Sequence, residues 1–281
     1  MSYEKKNPIG VFDSGVGGLT VVKQMLRYLP KEDIVYFGDT ARVPYGTKSA
    51  ETIERFSVEN TLFLLRFKVK CIVVACNTSS SIALNLLKSS FKVPVIGVIE
   101  PGTREALSAT RSGHIGIIGT RATISSGSYE SELRRMAKAE FLEKQHRLKI
   151  ISRSCPLFVP LAEEGWLNDV ITKKVAERYL EIFKNNRIDT LILGCTHYPM
   201  LKNVIASVLG NSVCLVDSAK QCAIEVERVL YREGLRNEGK TKGRLKFFVS
   251  DEPEKFSVAG KKFLGENFIP RRNVFLTGGS G

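Results

Sequence analysis

Two cysteines, Cys76 and Cys195, occupy matched places in the chain and have the chemistry to act as acids or bases. Each follows a short apolar run typical of a buried β-strand and precedes small hydrogen-bonding residues. In a parallel α/β sheet, ligands bind where strands end, and the N-terminus of the following helix lowers the pKa of a thiol. On opposite faces of one carbon, two such thiols could remove a proton from one face and deliver one to the other.

Two further residues could assist these thiols. Asp13 ends the first apolar run, and His197 lies two residues beyond Cys195. Both side chains could shuttle or polarise protons near neutral pH. The alternatives are a helix cap for Asp13 and a satisfied polar contact for His197, and the sequence leaves both open.

A glycine-rich loop over residues 13–20 opens a predicted helix and favours anion binding at its N-terminus. The loop lacks the Gly-Lys-Ser/Thr ending of a P-loop and the spacing of a dinucleotide fingerprint. A small carboxylate is therefore favoured over a nucleotide as its ligand. The turn Pro44-Tyr45-Gly46 could supply further backbone donors.

The elements that must position these residues alternate between short apolar runs and stretches of helical periodicity, which predicts parallel sheets covered on both sides. The strands predicted in the first half span residues 9–12, 34–38, 71–75 and 93–98, and the helices span residues 19–29, 50–67 and 79–90. The second half repeats the pattern, with strands at 114–119, 189–194 and 213–216 and helices at 125–138 and 200–209.

The two halves resemble each other in the same order. Residues 9–14 match 115–120, residues 72–78 match 191–197, and residues 95–100 match 213–218. We therefore predict two similar parallel-sheet α/β domains, related by a pseudo-twofold axis, with the active site in the cleft between them.

The domain boundaries follow from this repeat. The first domain comprises residues 1–98 with 212–281 and carries Asp13 and Cys76; the second comprises residues 99–211 and carries Cys195 and His197. The segment from residue 219 onward has few apolar residues, so it should fold back onto the first half. Residues 278–281 should fray.

Composition excludes several classes of protein. Hydrophobic residues make up 43% of the 281 residues and charged residues 25%, which excludes a disordered or fibrous chain. The net charge of +13 is dispersed without an aromatic-interleaved basic run, so a solvated surface is expected and nucleic acid is not. Six cysteines are too few for a disulfide scaffold, and neither a membrane span nor a signal peptide is present, so the predicted location is cytoplasmic.

Four motifs, in order along the chain, are similar to those of the glutamate racemases, in the aspartate/glutamate racemase family. They are Asp13-Ser14-Gly15-Val16-Gly17-Gly18, Pro44-Tyr45-Gly46, Ala75-Cys76-Asn77-Thr78 and Gly194-Cys195-Thr196-His197-Tyr198-Pro199. The resemblance runs from about residue 8 to 249. It implies interconversion of L- and D-glutamate without cofactor or metal, a supply of D-glutamate for peptidoglycan, and a homodimer.

The resemblance also implies roles for individual residues. Cys76 would be the base for D-glutamate and Cys195 the base for L-glutamate, with Asp13 and His197 as assistants and Glu163 as a further acidic residue. The implied substrate contacts are Asp13, Ser14, Pro44, Tyr45, Gly46, Asn77, Thr78, Thr196 and His197.

Three other functions remain open at this point. An aspartate racemase would use the same thiols on a shorter substrate. A zinc-binding module could use Cys76, Cys195 and His197, although the sequence offers no evident fourth ligand. The third alternative, which the basic charge suggests, is a protein associated with nucleic acid. A measurement of salt-dependent DNA binding would test this alternative.

Overall fold

Two parallel β-sheets form the core of the computed structural model, which describes residues 3–140, 148–265 and 274–276. Strands are numbered in chain order. The first sheet contains β1 (Ile9–Asp13), β2 (Ile34–Gly38), β3 (Cys71–Val74), β4 (Val95–Gly97), β9 (Leu245–Val249) and β10 (Val274–Leu276). The second contains β5 (His114–Gly119), β6 (Lys149–Ser154), β7 (Thr190–Gly194) and β8 (Cys214–Asp217).

Helices connect these strands. They are α1 (Leu19–Tyr28), α2 (Ala50–Leu65), α3 (Asn77–Ile82), α4 (Leu84–Ser90), α5 (Ile99–Ala109), α6 (Arg121–Ser125), α7 (Ser128–Glu140), α8 (Phe158–Glu164), α9 (Val170–Asn185), α10 (Lys202–Leu209), α11 (Ser218–Arg232) and α12 (Pro253–Leu264). Side-chain caps fix some helix starts: Ser49 accepts from the Thr52 amide before α2, and Asp169 accepts from the Ile171 amide before α9. The helix predicted over residues 79–90 is divided between α3 and α4.

The two sheets share one strand order. The first contains β2-β1-β3-β4 and the second β6-β5-β7-β8, and every pairing is parallel. Strands β1, β2 and β3 are fully buried, as expected for a sheet covered on both faces. The prediction of two similar parallel-sheet α/β units is confirmed. β9 and β10 extend only the first sheet.

The predicted boundary after residue 211 falls one strand too early. β8 (Cys214–Asp217) pairs with β7, so the second sheet continues to Asp217. The reason is the repeat itself, because β8 takes the place in the second sheet that β4 takes in the first. The chain then returns to the first sheet through α11.

The C-terminal segment folds back onto the first sheet, as predicted. α11 and α12 both contact α1, and β9 pairs with β2 in register from Ile34–Leu245 to Gly38–Val249. The expectation for residues 278–281 lies outside the described residues. No helix in the described part of the chain is long and apolar enough to cross a membrane.

A buried ion pair lies at the amino ends of the strands in the first sheet. Lys70, which precedes β3, donates to Glu32 Oε2 and to the carbonyl oxygen of Lys5, and both charged side chains are almost fully enclosed. The other carboxylate oxygen, Glu32 Oε1, accepts from the Asn237 amide at 2.8 Å. This cluster joins the N-terminal segment, β3 and the segment after α11.

We expect Lys70→Met to lower the free energy of unfolding by about 3–5 kcal/mol, because it leaves the Glu32 carboxylate buried and unpaired. Urea titration measures this change. The double variant Lys70→Met/Glu32→Gln should lose less, since no lone charge remains buried. As a control, Arg232→Ala removes an exposed ion pair with Glu233 and should cost less than about 1 kcal/mol. A Lys70→Met variant as stable as that control would contradict the prediction.

Candidate active site

The first sheet positions one thiol beside a carboxylate. β1 ends at Asp13 and the neighbouring β3 ends just before Ala75 and Cys76, so the two side chains emerge at the same edge. The Cys76 thiol donates to Ser14 Oγ at 3.8 Å, and Asp13 Oδ2 accepts from the Gly15 amide at 3.1 Å. Asp13 Oδ1 is buried and has no hydrogen-bond partner among the described residues.

The second sheet positions the other thiol beside an imidazole. Cys195 directly follows β7, and its sulfur lies 3.8 Å from His197 Nδ1. His197 Nε2 lies 2.9 Å from Glu163 Oε1, near the end of α8, where Gly165 adopts a φ of +81° and terminates the helix. A 3₁₀ helix, Tyr198–Leu201, stands between Cys195 and α10, so an α-helix does not begin directly at this cysteine as it does at Cys76.

The glycine-rich loop after β1 is in contact with the loop that carries Cys195. A side chain on Gly17 would place its Cβ 2.4 Å from Thr196 Oγ1 and 2.6 Å from His197 Cε1, so only glycine fits there. The Thr20 hydroxyl donates to the Thr196 carbonyl oxygen at 3.3 Å. The glycine-rich loop of the first sheet therefore packs directly on the His197 loop of the second.

The turn at Pro44, Tyr45 and Gly46 also reaches the second sheet. The Tyr45 hydroxyl donates to Asp39 Oδ2, which anchors the turn, and a Cβ on Gly46 would lie only 2.6 Å from the Thr120 Cβ. Close contact with Thr120 thus brings the turn against the loop after β5.

Hydroxyl groups join the two sheets near this turn. Thr78 Oγ1 lies 3.0 Å from Thr120 Oγ1 and 3.3 Å from Thr123 Oγ1. The sequence analysis did not select Thr120 or Thr123. One signal for Thr120 was available, because the repeat aligns it with Ser14.

Tyr129 is a third residue that the sequence analysis missed. It lies on α7, and its hydroxyl donates to Asn77 Oδ1 at 2.6 Å. No motif marks this tyrosine, since its place at the site depends on how α7 packs against α5 and α3.

Burial is the largest influence on the pKa values of Cys76 and Asp13, which lie at the edge of the first sheet. Burial, and then the charge of Asp13, raise the pKa of Cys76 to about 12, although the amide and hydroxyl of Ser79 and the hydroxyl of Ser14 oppose the rise. Burial also raises the pKa of Asp13, against the charge of His197 and nearby backbone amides. The expectation that a helix N-terminus lowers the thiol pKa is therefore wrong for Cys76, because desolvation outweighs the amides.

Beside the second sheet, hydrogen bonds and neighbouring charges together outweigh burial in the pKa values of His197 and Glu163. Burial would lower the pKa of His197, but its hydrogen bonds to Cys195 and Glu163, and their charges, raise it to about 10. Burial would raise the pKa of Glu163, but the hydrogen bond and charge of His197 lower it. At neutral pH, the imidazolium therefore faces the Cys195 sulfur on one side and a carboxylate on the other.

These contacts bring the residues selected from the sequence to the region where the two sheets meet; their roles remain predictions. Among the described residues, no group of three or more His, Cys, Asp or Glu side chains could hold a metal ion. The zinc alternative thus finds no ligand set in the part of the chain that the structure describes.

Comparison with known proteins gives consistent relatives. A family model described as Asp/Glu/Hydantoin racemase matches residues 9–225. The chain is 48% identical over 257 residues to the glutamate racemase of Geobacter metallireducens, covering 92% of each chain. The crystal structure of glutamate racemase isoform RacE1 from Bacillus anthracis is similar with a TM-score of 0.88 and 38% identity, covering 94% of this chain and 96% of that one.

A second solved structure, of glutamate racemase from Francisella tularensis in complex with D-glutamate, has a TM-score of 0.86 and 39% identity. The match covers 97% of this chain and 98% of that one.

The pKa of His197 predicts how stability changes with pH. Because its folded-state pKa of about 10 exceeds the ordinary 6.5, the stabilisation is complete below about pH 6.5 and is lost as the pH rises through about 10. Glu163→Gln removes one cause of the raised pKa. We therefore expect the stability difference between the unmodified protein and this variant to shrink between about pH 6.5 and 10 in urea titrations.

Ser89→Ala is the control, because it removes an exposed hydroxyl on α4 that donates to the Leu86 carbonyl oxygen, and it changes no titratable group. Its stability difference should stay constant over the same pH range. A constant or growing difference for Glu163→Gln would contradict the predicted role of His197.

Proposed function

The chain belongs to the Asp/Glu/hydantoin racemase family and is an amino-acid racemase, and we propose that it interconverts L- and D-glutamate with Cys76 and Cys195 as proton carriers. The observation that carries the proposal is the matched placement of the two thiols. Each follows the corresponding strand of a repeated sheet. The glycine-rich loop, whose Ser14 accepts from the Cys76 thiol, meets the Cys195 loop through Gly17 and Thr196. Each thiol also has its own partner.

The two thiols have different partners, and this difference fits opposite roles at the start of the reaction, with Cys195 as the base and Cys76 as the acid. With L-glutamate, a Cys195 thiolate facing the His197 imidazolium removes the α-proton, and the Cys76 thiol donates its proton to the opposite face. The product is D-glutamate, with Cys195 now a thiol and Cys76 a thiolate. D-Glutamate reacts with this form by the reverse sequence. To restore the starting form without D-glutamate, Cys195 releases one proton to water and Cys76 takes up one proton from water, and Asp13 and His197 assist these two transfers.

Asp13 has a second role in this proposal. Its Oδ1 lacks a partner among the described residues, and its charge contributes to the high pKa of Cys76. The ammonium group of an amino acid would give this oxygen a partner and offset that charge. Binding of substrate would thus ease proton loss from Cys76.

Glutamate is the substrate that the relatives support, since those named above are glutamate racemases, one of them in complex with D-glutamate. Aspartate is the alternative, and comparing turnover of the two amino acids separates them. As part of the proposal, the reaction needs no cofactor, supplies D-glutamate for peptidoglycan and takes place in the cytoplasm in a homodimer.

The purified protein should racemise L-glutamate with no added cofactor, as followed by circular dichroism of the amino acid. Cys76→Ser and Cys195→Ser should each lower kcat at least about a hundredfold, because a hydroxyl is a far weaker acid than a thiol. The fold should survive, since the change in volume is small.

Cys222→Ser is the matched control. Cys222 is also a buried free thiol, but it lies on α11 in the hydrophobic core. Its variant should keep its activity per folded molecule. Near-normal turnover in either Cys76→Ser or Cys195→Ser would rule out the two-thiol mechanism.

Isotope labelling tests whether two separate groups carry the protons. In heavy water, the product should carry deuterium at its α-carbon from the first turnovers, while recovered substrate stays largely unlabelled. The reason is that the group that takes the proton differs from the group that donates. Mass spectrometry measures both pools, and rapid labelling of recovered substrate would indicate a single base.

A further inference from the structure

Tyr129 lies between the loops that carry the two thiols. Its ring packs on Gly194, the residue before Cys195, where an added Cβ would lie 3.1 Å from Tyr129 Cε2. Its hydroxyl donates at 2.6 Å to Oδ1 of Asn77, the residue after Cys76. Tyr129 is only 2% exposed, so it forms a buried connection between the two halves of the site.

We propose that Tyr129 is a positioning residue that fixes the Asn77 amide as a donor to the substrate and holds the Cys76 loop against the Cys195 loop. The inference rests on the proposed racemisation. It assigns Tyr129 no contact with the reacting atoms.

The hydrogen bond decides which part of a substrate Asn77 can recognise. A primary amide has one acceptor oxygen and two N–H donors. Tyr129 uses one of the two lone pairs of this oxygen and thereby turns the NH₂ group away from itself, towards the ligand. Asn77 is then better matched to a carboxylate oxygen, which accepts, than to an ammonium group, which needs an acceptor.

The environment of Tyr129 keeps its hydroxyl protonated, so the hydroxyl remains a hydrogen-bond donor. Burial is the largest cause that raises its pKa, a hydrogen bond with the Ser218 side chain opposes the rise, and the charges of Cys195 and Asp217 add to it. The phenol therefore stays protonated while a thiolate forms nearby. Asn77 is itself only 3% exposed, so an amide that lost this partner would have a buried, unsatisfied oxygen.

The two contacts of Tyr129 can be removed separately. Tyr129→Phe removes the hydroxyl and keeps the ring on Gly194, so the KM for L-glutamate should rise about tenfold while kcat changes much less. Tyr129→Leu also removes the ring and should lower kcat in both directions. Tyr231→Phe is the control: its side chain is 75% exposed on α11, so loss of its hydroxyl should leave both constants unchanged.

A double-mutant cycle separates positioning from a general loss of packing. If Tyr129 acts through Asn77, Tyr129→Phe should add nothing to the KM of an Asn77→Ala variant. Additive increases in KM would overturn the inference, and so would an unchanged KM in Tyr129→Phe. Thermal unfolding of each variant checks the fold, and the Phe variant decides the matter if the Leu variant does not fold.

The outcome also distinguishes this inference from the proposed function. Absence of glutamate racemisation by the unmodified protein would refute the proposed function, and this inference with it. Normal racemisation by the unmodified protein, together with unchanged constants in Tyr129→Phe, would refute only the role of Tyr129.

Discussion

Burial of two thiols at the ends of parallel strands is the constraint on which the rest of the site depends. Cys76 is 5% exposed and Cys195 is 6% exposed, and a buried thiolate is costly unless a positive charge or a donor faces it. The second sheet meets this cost with His197, which Glu163 holds in its charged form. Beside Cys76, the described residues of the first sheet supply hydroxyl and amide donors, together with a carboxylate that opposes ionisation. The two thiols therefore have partners of opposite charge, and the mechanism we propose uses this asymmetry.

The loops of the two halves pack closely because glycine, which has no side chain, stands at two of the contact positions. Gly17 lies against Thr196 and His197, and Gly46 lies against Thr120, so a Cβ at either position would collide with the opposite half. The glycine-rich loop indicated anion binding when considered as sequence. In the structure, Gly17 has an additional reason to be glycine, which is the close approach of the two halves.

The C-terminal return of the chain covers one side of the His197 ring. Phe263 on α12 meets the His197 ring edge-to-face with centroids 5.9 Å apart, and the neighbouring Lys262 donates to the Glu163 carbonyl oxygen at 3.2 Å. α12, which also contacts α1, thereby keeps water from the imidazolium on this side. The Glu163 carboxylate is 39% exposed, so only the His197 side of the ion pair is fully buried.

The sequence by itself determined the parallel sheets, their repeat and the placement of Cys76 beside Asp13, because apolar periodicity is local and parallel strands end at a common edge. It missed β6, since this edge strand is half-exposed and carries Arg153, and so lacks a continuous apolar run. Only the tertiary structure decided the upward pKa shift of Cys76 and the contacts of Thr120 and Tyr129. These depend on burial and on neighbours distant in sequence, which no local pattern of residues encodes.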